Sequence, residues 1–205
     1  ISGFLIAHFG TGPSFIINAS SYIVVNIALL SMRESEFFIA ESKKTLGTIR
    51  EGFAYVKARP DLYVVMIAVF FAATFGLNFQ IFNALMARGE FNKGAASFGL
   101  LGTFIAVGSL SGALLSARLE KQRNTMFVIR MGAVFSFVVM ALSVMPTYTL
   151  YAIWLPICGF TALTMLITAN SLMQMHSDPA IRGRITGIYM LIFMGGTPFG
   201  SMAIG

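Results

Sequence analysis

The sequence predicts an all-α protein whose helices cross a membrane as a polytopic bundle, and two observations support this fold class. The chain is 57% hydrophobic and only 11% charged, whereas ordinary globular chains carry roughly 25% charged residues. The charges also leave open windows that are long enough for a bilayer-spanning helix of about 20 residues. These charge-free windows are Ile1–Met32, Leu62–Ala87, Gly94–Ala117, Met131–Ser177 and Ile185–Gly205.

Hydropathy divides the chain into five complete spans and two partial ones. The first partial span is Ile1–Phe9, which ends at the turn signal Gly10–Pro13. The last segment, Ile185–Gly205, is expected to be incomplete, and both ends of the chain suggest a fragment. The complete spans are predicted at Ser14–Met32, Leu62–Met86, Ala95–Ala117, Thr125–Met145 and Leu150–Met175.

The basic residues indicate the orientation of these spans. Twelve of the 14 Lys and Arg residues lie in or next to three alternate loops, residues 33–60, 118–123 and 182–184. The intervening loops hold only Arg88 and Lys93. Because Lys and Arg accumulate in cytoplasmic loops, we predict a multi-pass protein of the cell membrane with these three loops in the cytoplasm. The net charge of +6 therefore reflects topology, and no nucleic-acid partner is expected.

The first of these loops contains a predicted amphipathic helix. Basic and acidic residues alternate there with apolar residues at helical spacing, namely Leu46, Ile49, Phe53 and Val56. This pattern favours a helix that lies along the inner membrane surface, and a solvated linker without lipid contact is the alternative. Pro60 disfavours a helical conformation at Arg59 and separates this helix from the next span.

Residue types that carry enzyme chemistry are scarce within the spans. All eight acidic residues lie in loops or at helix ends. His8 and His176 are far apart in the sequence, and Cys158 is the single cysteine, so neither a metal site nor a disulfide is predicted. We therefore expect no enzymatic activity and no cofactor.

Uncharged polar and aromatic residues recur at helical spacing in three spans, so each set shares one helix face. Ordinary helix packing is the alternative interpretation, because Ser, Thr and Asn also bond to neighbouring helices or to their own backbone. The sets are Phe71, Thr74, Phe75, Asn78 and Phe82; then Thr161, Thr164, Thr168 and Ser171; then Thr186, Tyr189, Phe193 and Thr197.

Four stretches together resemble the major facilitator superfamily of transporters, in particular its bacterial drug and siderophore exporters. These stretches are Phe9–Ala19, Glu51–Pro60, Phe98–Ala113 and Asp178–Gly200. The resemblance implies the superfamily fold and a fragment of a twelve-helix protein, from late in helix five to helix eleven. Residues 1–32 would then end the N-terminal helix bundle, residues 33–60 would form the cytoplasmic linker, and residues 61–205 would form most of the C-terminal bundle.

The resemblance also implies a function. We expect a secondary active transporter, a monomer in the lipid bilayer, that exports a small amphipathic solute by alternating access with protons as the coupling ion. An importer of the same fold and a non-transporting membrane scaffold or receptor are the alternatives. Because no carboxylate lies within these spans, a membrane-embedded carboxylate that carries the proton is expected outside them.

Two sets of site residues follow from the resemblance. Gly196, Pro198 and Gly200 resemble the glycine–proline helix motifs of exporters, so a role in conformational change is predicted for them, together with Arg182 and Arg184. A static kink at Pro198 is the alternative. The residues expected to line the substrate cavity are Phe71, Thr74, Phe75, Asn78, Phe82, Thr161, Thr164, Thr168, Tyr189 and Phe193.

Overall fold

The computed structural model describes residues 11–32, 48–119 and 124–204. Within these residues the chain is helical and contains no strand, so the all-α prediction is confirmed. Two π-helical turns, Ala72–Gly76 and Met86–Glu90, follow α3 and α4. The helices are α1 (Thr11–Leu30), α2 (Ile49–Ala58), α3 (Pro60–Phe71), α4 (Phe79–Leu85), α5 (Ala95–Arg118), α6 (Thr125–Leu142), α7 (Tyr148–Met175) and α8 (Arg182–Ile204).

Five helical stretches in the described part of the chain are long and apolar enough to cross a membrane: Pro60–Glu90, Ala95–Arg118, Thr125–Leu142, Tyr148–Met175 and Arg182–Ile204. In the last of them, the predicted loop residues 182–184 form the first turn, so the described helix has 23 residues. The predicted span Ser14–Met32 corresponds to a shorter apolar helix, Phe15–Leu30. The partial span predicted at Ile1–Phe9 lies outside the described residues.

Capping residues account for several helix boundaries. Asn124 precedes α6, and its side chain accepts a hydrogen bond from the Phe127 backbone N–H at 2.8 Å. Thr147 caps α7 in the same way. Arg59 is extended, with φ −114° and ψ 97°, and Pro60 begins α3. The predicted break before Pro60 is therefore present, because a proline disfavours helical backbone in the residue before it.

Helix α7 lies at the centre of the packing. Its most extensive contact is with α5, and it also packs against α6, α8 and α3. Helix α3 in turn contacts α6, and α8 packs against α3 and the π-helical turn that follows it. The described side chains of α1 are all exposed. Many apolar side chains on the outer faces of the other helices are exposed as well, as a bilayer solvent permits.

The linker helix is present, and one residue of its predicted apolar face, Val56, packs inside the protein. Helix α2 buries Gly52 and Val56, whereas Ile49 and Phe53 are exposed. Gly52 and Val56 face inward because α8 packs against this side of the helix. Leu46 lies outside the described residues. The position of α2 on the membrane surface stays a prediction.

Candidate functional site: a groove between two membrane helices

An open groove of about 350 Å³ lies between α7 and α8. A second depression of about 440 Å³ continues along α8 and is lined by Phe193, Met194, Thr197, Pro198 and Ser201. The first groove is lined by apolar side chains with one amide and two hydroxyl groups and no charge. Its lining residues are Leu163, Leu166, Ile167, Asn170, Ser171, Tyr189, Met190 and Phe193.

Tyr189 and Phe193 form the aromatic wall of this groove. Their rings stack with centroids 6.3 Å apart and planes 12° apart, because residues four apart are neighbours on a helix surface. The Tyr189 hydroxyl donates a hydrogen bond to the Leu166 carbonyl oxygen on α7 at 3.1 Å. This bond ties α8 to α7 and orients the ring. Both residues belong to the predicted cavity set, and the structure places them together.

Polar groups at the end of α7 complete the groove. Asn170 Oδ1 accepts a hydrogen bond from Gln174 Nε2, one helical turn further along. Ser171 lies beside Asn170 and had been grouped with the threonine set in the sequence. Asn170 was missed, because a single amide near the end of an apolar helix gives no periodic signal. The i, i+4 amide pair with Gln174 is the only local sign that could have drawn attention to it.

The three predicted cavity threonines of α7 occupy a different environment. Thr161, Thr164 and Thr168 are all at most 3% exposed. Thr161 donates to the Ile157 carbonyl oxygen at 2.8 Å and Thr168 to the Thr164 carbonyl oxygen at 2.7 Å. The Thr164 hydroxyl lies 3.5 Å from the Gly112 carbonyl oxygen on α5. These contacts favour the packing interpretation for this conformation, and a role in solute contact stays a prediction.

The predicted face of the 62–86 span is divided in two. Phe71 and Phe75 are exposed and stack on each other with centroids 6.2 Å apart. Thr74 and Asn78 are buried, against α8. A π-helical turn contains more residues than an α-helical turn, so the turn Ala72–Gly76 and the break at residues 77–78 rotate the following residues out of register. Phe82 is half-buried beside Phe79. The expectation of one continuous face is therefore wrong.

Gly196 and Gly200 bring α8 against this π-helical turn. A Cβ atom on Gly200 would lie 1.5 Å from the Thr74 carbonyl oxygen, and one on Gly196 would lie 2.8 Å from Thr74 Oγ1. Asn78 Nδ2 donates to the same Thr74 carbonyl at 2.8 Å. The Thr74 hydroxyl is buried and has no hydrogen-bond partner among the described residues. Pro198 lies on the exposed side of α8, which continues through it.

Charged residues gather where α2 and α3 meet the end of α7. The Arg59 guanidinium binds the Asp61 carboxylate through two hydrogen bonds of 2.9 and 3.1 Å. This hydrogen bonding raises the pKa of Arg59 above its ordinary value. His176 Nδ1 lies 3.1 Å from Asp61 Oδ2, and the Asp178 backbone N–H donates to the Tyr55 hydroxyl. The described residues contain no cluster of potential metal ligands.

Of the two arginines predicted for conformational change, one has an ionic partner on α2. Arg184 Nη1 lies 3.5 Å from Glu51 Oε2, and the arginine side chain is 27% exposed. Arg182 is exposed. The pair with Glu51 connects the first turn of α8 to the linker helix.

Five membrane-length helices in the described part of the chain, with an uncharged open groove between two of them, define the class of polytopic membrane proteins. Residues 1–205 match the profile of the family described as transmembrane secretion effector, within the major facilitator superfamily. The chain belongs to this family of membrane transporters, and its fold is the helix bundle of that superfamily. No curated protein and no solved structure matches the chain.

Proposed function

We propose that this protein is a secondary active transporter that exports a small, amphipathic organic solute, of drug or siderophore type, by alternating access. The groove between α7 and α8 carries this proposal. Aromatic and aliphatic walls with a few amide and hydroxyl groups suit a solute that is partly apolar, and the groove has those walls. The family description, transmembrane secretion effector, supports export.

The proposed division of the chain follows the packing. Residues 1–32 end one bundle, residues 33–60 link the bundles and residues 61–205 belong to the second bundle. The exposed α1 and the mutually packed helices α3 to α8 support this division. Movement of the two bundles about a central site would then alternate access. In that arrangement, the open side of the α7–α8 groove would face the other bundle.

The proposed orientation places residues 33–60, 118–123 and 182–184 in the cytoplasm of a cell membrane. The Asp61–His176 contact and the Glu51–Arg184 ion pair join α2, the start of α3, the end of α7 and the start of α8, so residues 33–60 and 182–184 belong to one side of the bundle. The excess of Lys and Arg in these loops supports the cytoplasm as that side. The described spans carry no carboxylate in their interiors, since Asp61 and Glu90 lie at the two ends of one span. A proton-carrying carboxylate would therefore act from outside these spans.

Transport assays on a matched pair of variants test the role of the groove. The protein expressed from its complete gene is reconstituted in liposomes with an imposed pH gradient, and uptake of labelled amphipathic solutes is measured. Phe193→Ala removes the stacked ring from the groove and is expected to lower transport about tenfold. Phe199→Ala, a matched change on an exposed part of the same helix, is expected to leave transport unchanged.

The same assay distinguishes the alternatives. Export predicts solute accumulation only in vesicles whose cytoplasmic side faces outward, and import predicts the opposite orientation. Absence of flux for every solute under a pH gradient would favour a scaffold or receptor. Equal losses in the two phenylalanine variants would contradict the groove as the site.

A further inference from the structure

We propose that the outer face of α2 binds anionic phospholipid headgroups. The outer face is defined as Ile49, Arg50, Phe53 and Lys57. This inference concerns the linker helix rather than the solute groove, so it goes beyond the proposed transport function.

The inner face of α2 is held in place by α8. A Cβ atom on Gly52 would lie 2.6 Å from Ile188 Cδ1, so only a glycine allows this approach without a shift of Ile188. Val56 is 3% exposed and belongs to the same core cluster as Ile188. Glu51 pairs with Arg184 at 3.5 Å. Helix α2 is therefore a positioned element of the bundle, and its rotation determines which residues face outward.

The outer face combines apolar side chains with cations. Ile49 is 69% and Phe53 is 43% exposed, and residues four apart lie on the same side of a helix. At 100° per residue, Lys57 continues this row and Arg50 lies beside it. Among the residues that the structure describes, neither Arg50 nor Lys57 has an acidic group within ion-pair distance. These two positive charges are available to an external anion.

The place of α2 in the chain predicts that it lies at the depth of the lipid headgroups. Only Arg59 separates α2 from Pro60, the first residue of a membrane-length helical stretch. The charged group of Arg59, Asp61 and His176 marks the same level at the end of the bundle. With 10 residues, α2 is about 15 Å long and is too short to cross a hydrocarbon core of about 30 Å. We therefore expect its apolar outer residues to adjoin the membrane interface rather than bulk water.

The chemistry of the outer face favours anionic lipid over zwitterionic lipid. Helices that lie in an interface bury apolar residues at the acyl boundary and place Lys and Arg near phosphate groups. Two cations near an anionic surface are expected to give about a tenfold preference or more for anionic lipid. The attraction between exposed charges falls as salt screens them. A protein segment that covers this face is the competing occupant, and the experiment separates the two.

Fluorescence quenching in lipid nanodiscs tests the proposal. Phe53→Trp places a reporter on the outer face of the protein expressed from its complete gene. Two nanodisc preparations hold equal amounts of phosphatidylglycerol and phosphatidylcholine, and bromine near the top of the acyl chains is carried by only one of the two lipids. The signal of the native tryptophans, among them Trp154, is subtracted by parallel measurements on the same protein without Phe53→Trp.

Headgroup binding predicts stronger quenching by brominated phosphatidylglycerol, corresponding to about a tenfold preference. In the Phe53→Trp background, Arg50→Gln with Lys57→Gln should reduce the preference to about one, and raised salt should lower it. Arg118→Gln, which removes an exposed cation at the end of α5, should leave it unchanged. Equal quenching by the two brominated lipids would overturn the proposal. Absence of quenching by either would also overturn it and would indicate that protein covers the face.

Discussion

Glycine packs against the backbone of a neighbouring helix at the α5–α7 contact and at the contact of α8 with the π-helical turn after α3, and the two contacts differ in that backbone. Between α5 and α7, a Cβ atom on Gly108 would lie 1.9 Å from the Pro156 carbonyl oxygen, and one on Gly159 would lie 2.2 Å from the Ile105 carbonyl oxygen. Between α8 and α3, Gly200 meets the Thr74 carbonyl oxygen in the same way. Small residues at such contacts let membrane helices approach closely.

The two contacts differ in the regularity of the helices that meet and in whether their buried hydroxyl groups have hydrogen-bond partners. The α5–α7 contact joins two continuous helices, and the buried hydroxyls beside it, such as those of Ser116 and Thr161, bond to carbonyl groups of their own helices. The α3–α8 contact is made on a π-helical turn, and the Thr74 hydroxyl there has no partner among the described residues. Because π-helical turns are rarer and often lie at functional sites, we expect the α3–α8 contact to adjust during transport while the α5–α7 contact stays fixed.

The largest expected effect is on the fixed contact. Gly108→Ala should lower the free energy of unfolding by about 3 kcal/mol, because the new methyl group would overlap the α7 backbone at Pro156. Denaturant titration in detergent micelles measures the change. Gly102→Ala on the same helix is the control, since its Cβ atom would meet nothing within 4 Å. If Gly108→Ala and Gly102→Ala lowered the free energy of unfolding equally, the claim that the α5–α7 contact is fixed would be wrong.

A smaller loss of stability, with a loss of transport, is expected at the second contact. Gly200→Ala should lower the free energy of unfolding by about 2 kcal/mol, because the carbonyl that it meets belongs to an irregular turn that can shift. The shift biases one conformation, so transport in liposomes should fall about tenfold. Gly195→Ala provides the control in open space on the same helix. If the Gly200→Ala protein transported normally, the α3–α8 contact would not be the one that adjusts during transport.

Thr74→Val should stabilise the protein by about 1 kcal/mol, because it removes a buried hydroxyl that has lost its hydrogen bonds to water. The melting temperature in detergent would rise. Thr74→Ser keeps the hydroxyl and should show no such gain. If Thr74→Val destabilised the protein, the Thr74 hydroxyl would have a hydrogen-bond partner. The buried hydroxyl groups of the two contacts would then not differ.

The smallest expected effect concerns the hydroxyl that bridges α5 and α7. Thr164→Val should cost about 0.6 kcal/mol, the average value for a hydrogen bond between membrane helices, and should leave transport unchanged. Thr168→Val is the comparison, because the Thr168 hydroxyl donates to a carbonyl group of its own helix and does not bridge two helices. Impaired transport in the Thr164 variant, without a comparable loss of stability, would instead place this threonine in the solute path.

Much of the fold could be predicted because its signals are local. The charge-free windows indicate the spans, and the structure has both the helix start predicted at Thr125 and the break predicted before Pro60. Tyr189 and Phe193 were also predicted as neighbours, since a spacing of four residues in a regular helix is enough to place them on one face.

Contacts between distant residues could not be predicted in this way. Asp61 and His176 are 115 positions apart, and Tyr151 and Asn83, whose buried side chains bond at 3.0 Å, are 68 apart. No local pattern links such pairs. The division of the face at Thr74 was missed for a different reason, because the prediction assumed 3.6 residues per turn where the chain forms a π-helical turn.

By itself, the sequence determined that this protein lies in a membrane, because charges are costly within a bilayer and the chain keeps them out of its long apolar windows. It also determined the approximate limits of the spans. Only the tertiary structure decided which faces pack together and which line the groove. The physical reason is that lipid and the interior of a helix bundle are both apolar. The apolar pattern therefore does not show that Thr164 is buried against α5 while Phe193 lines the groove.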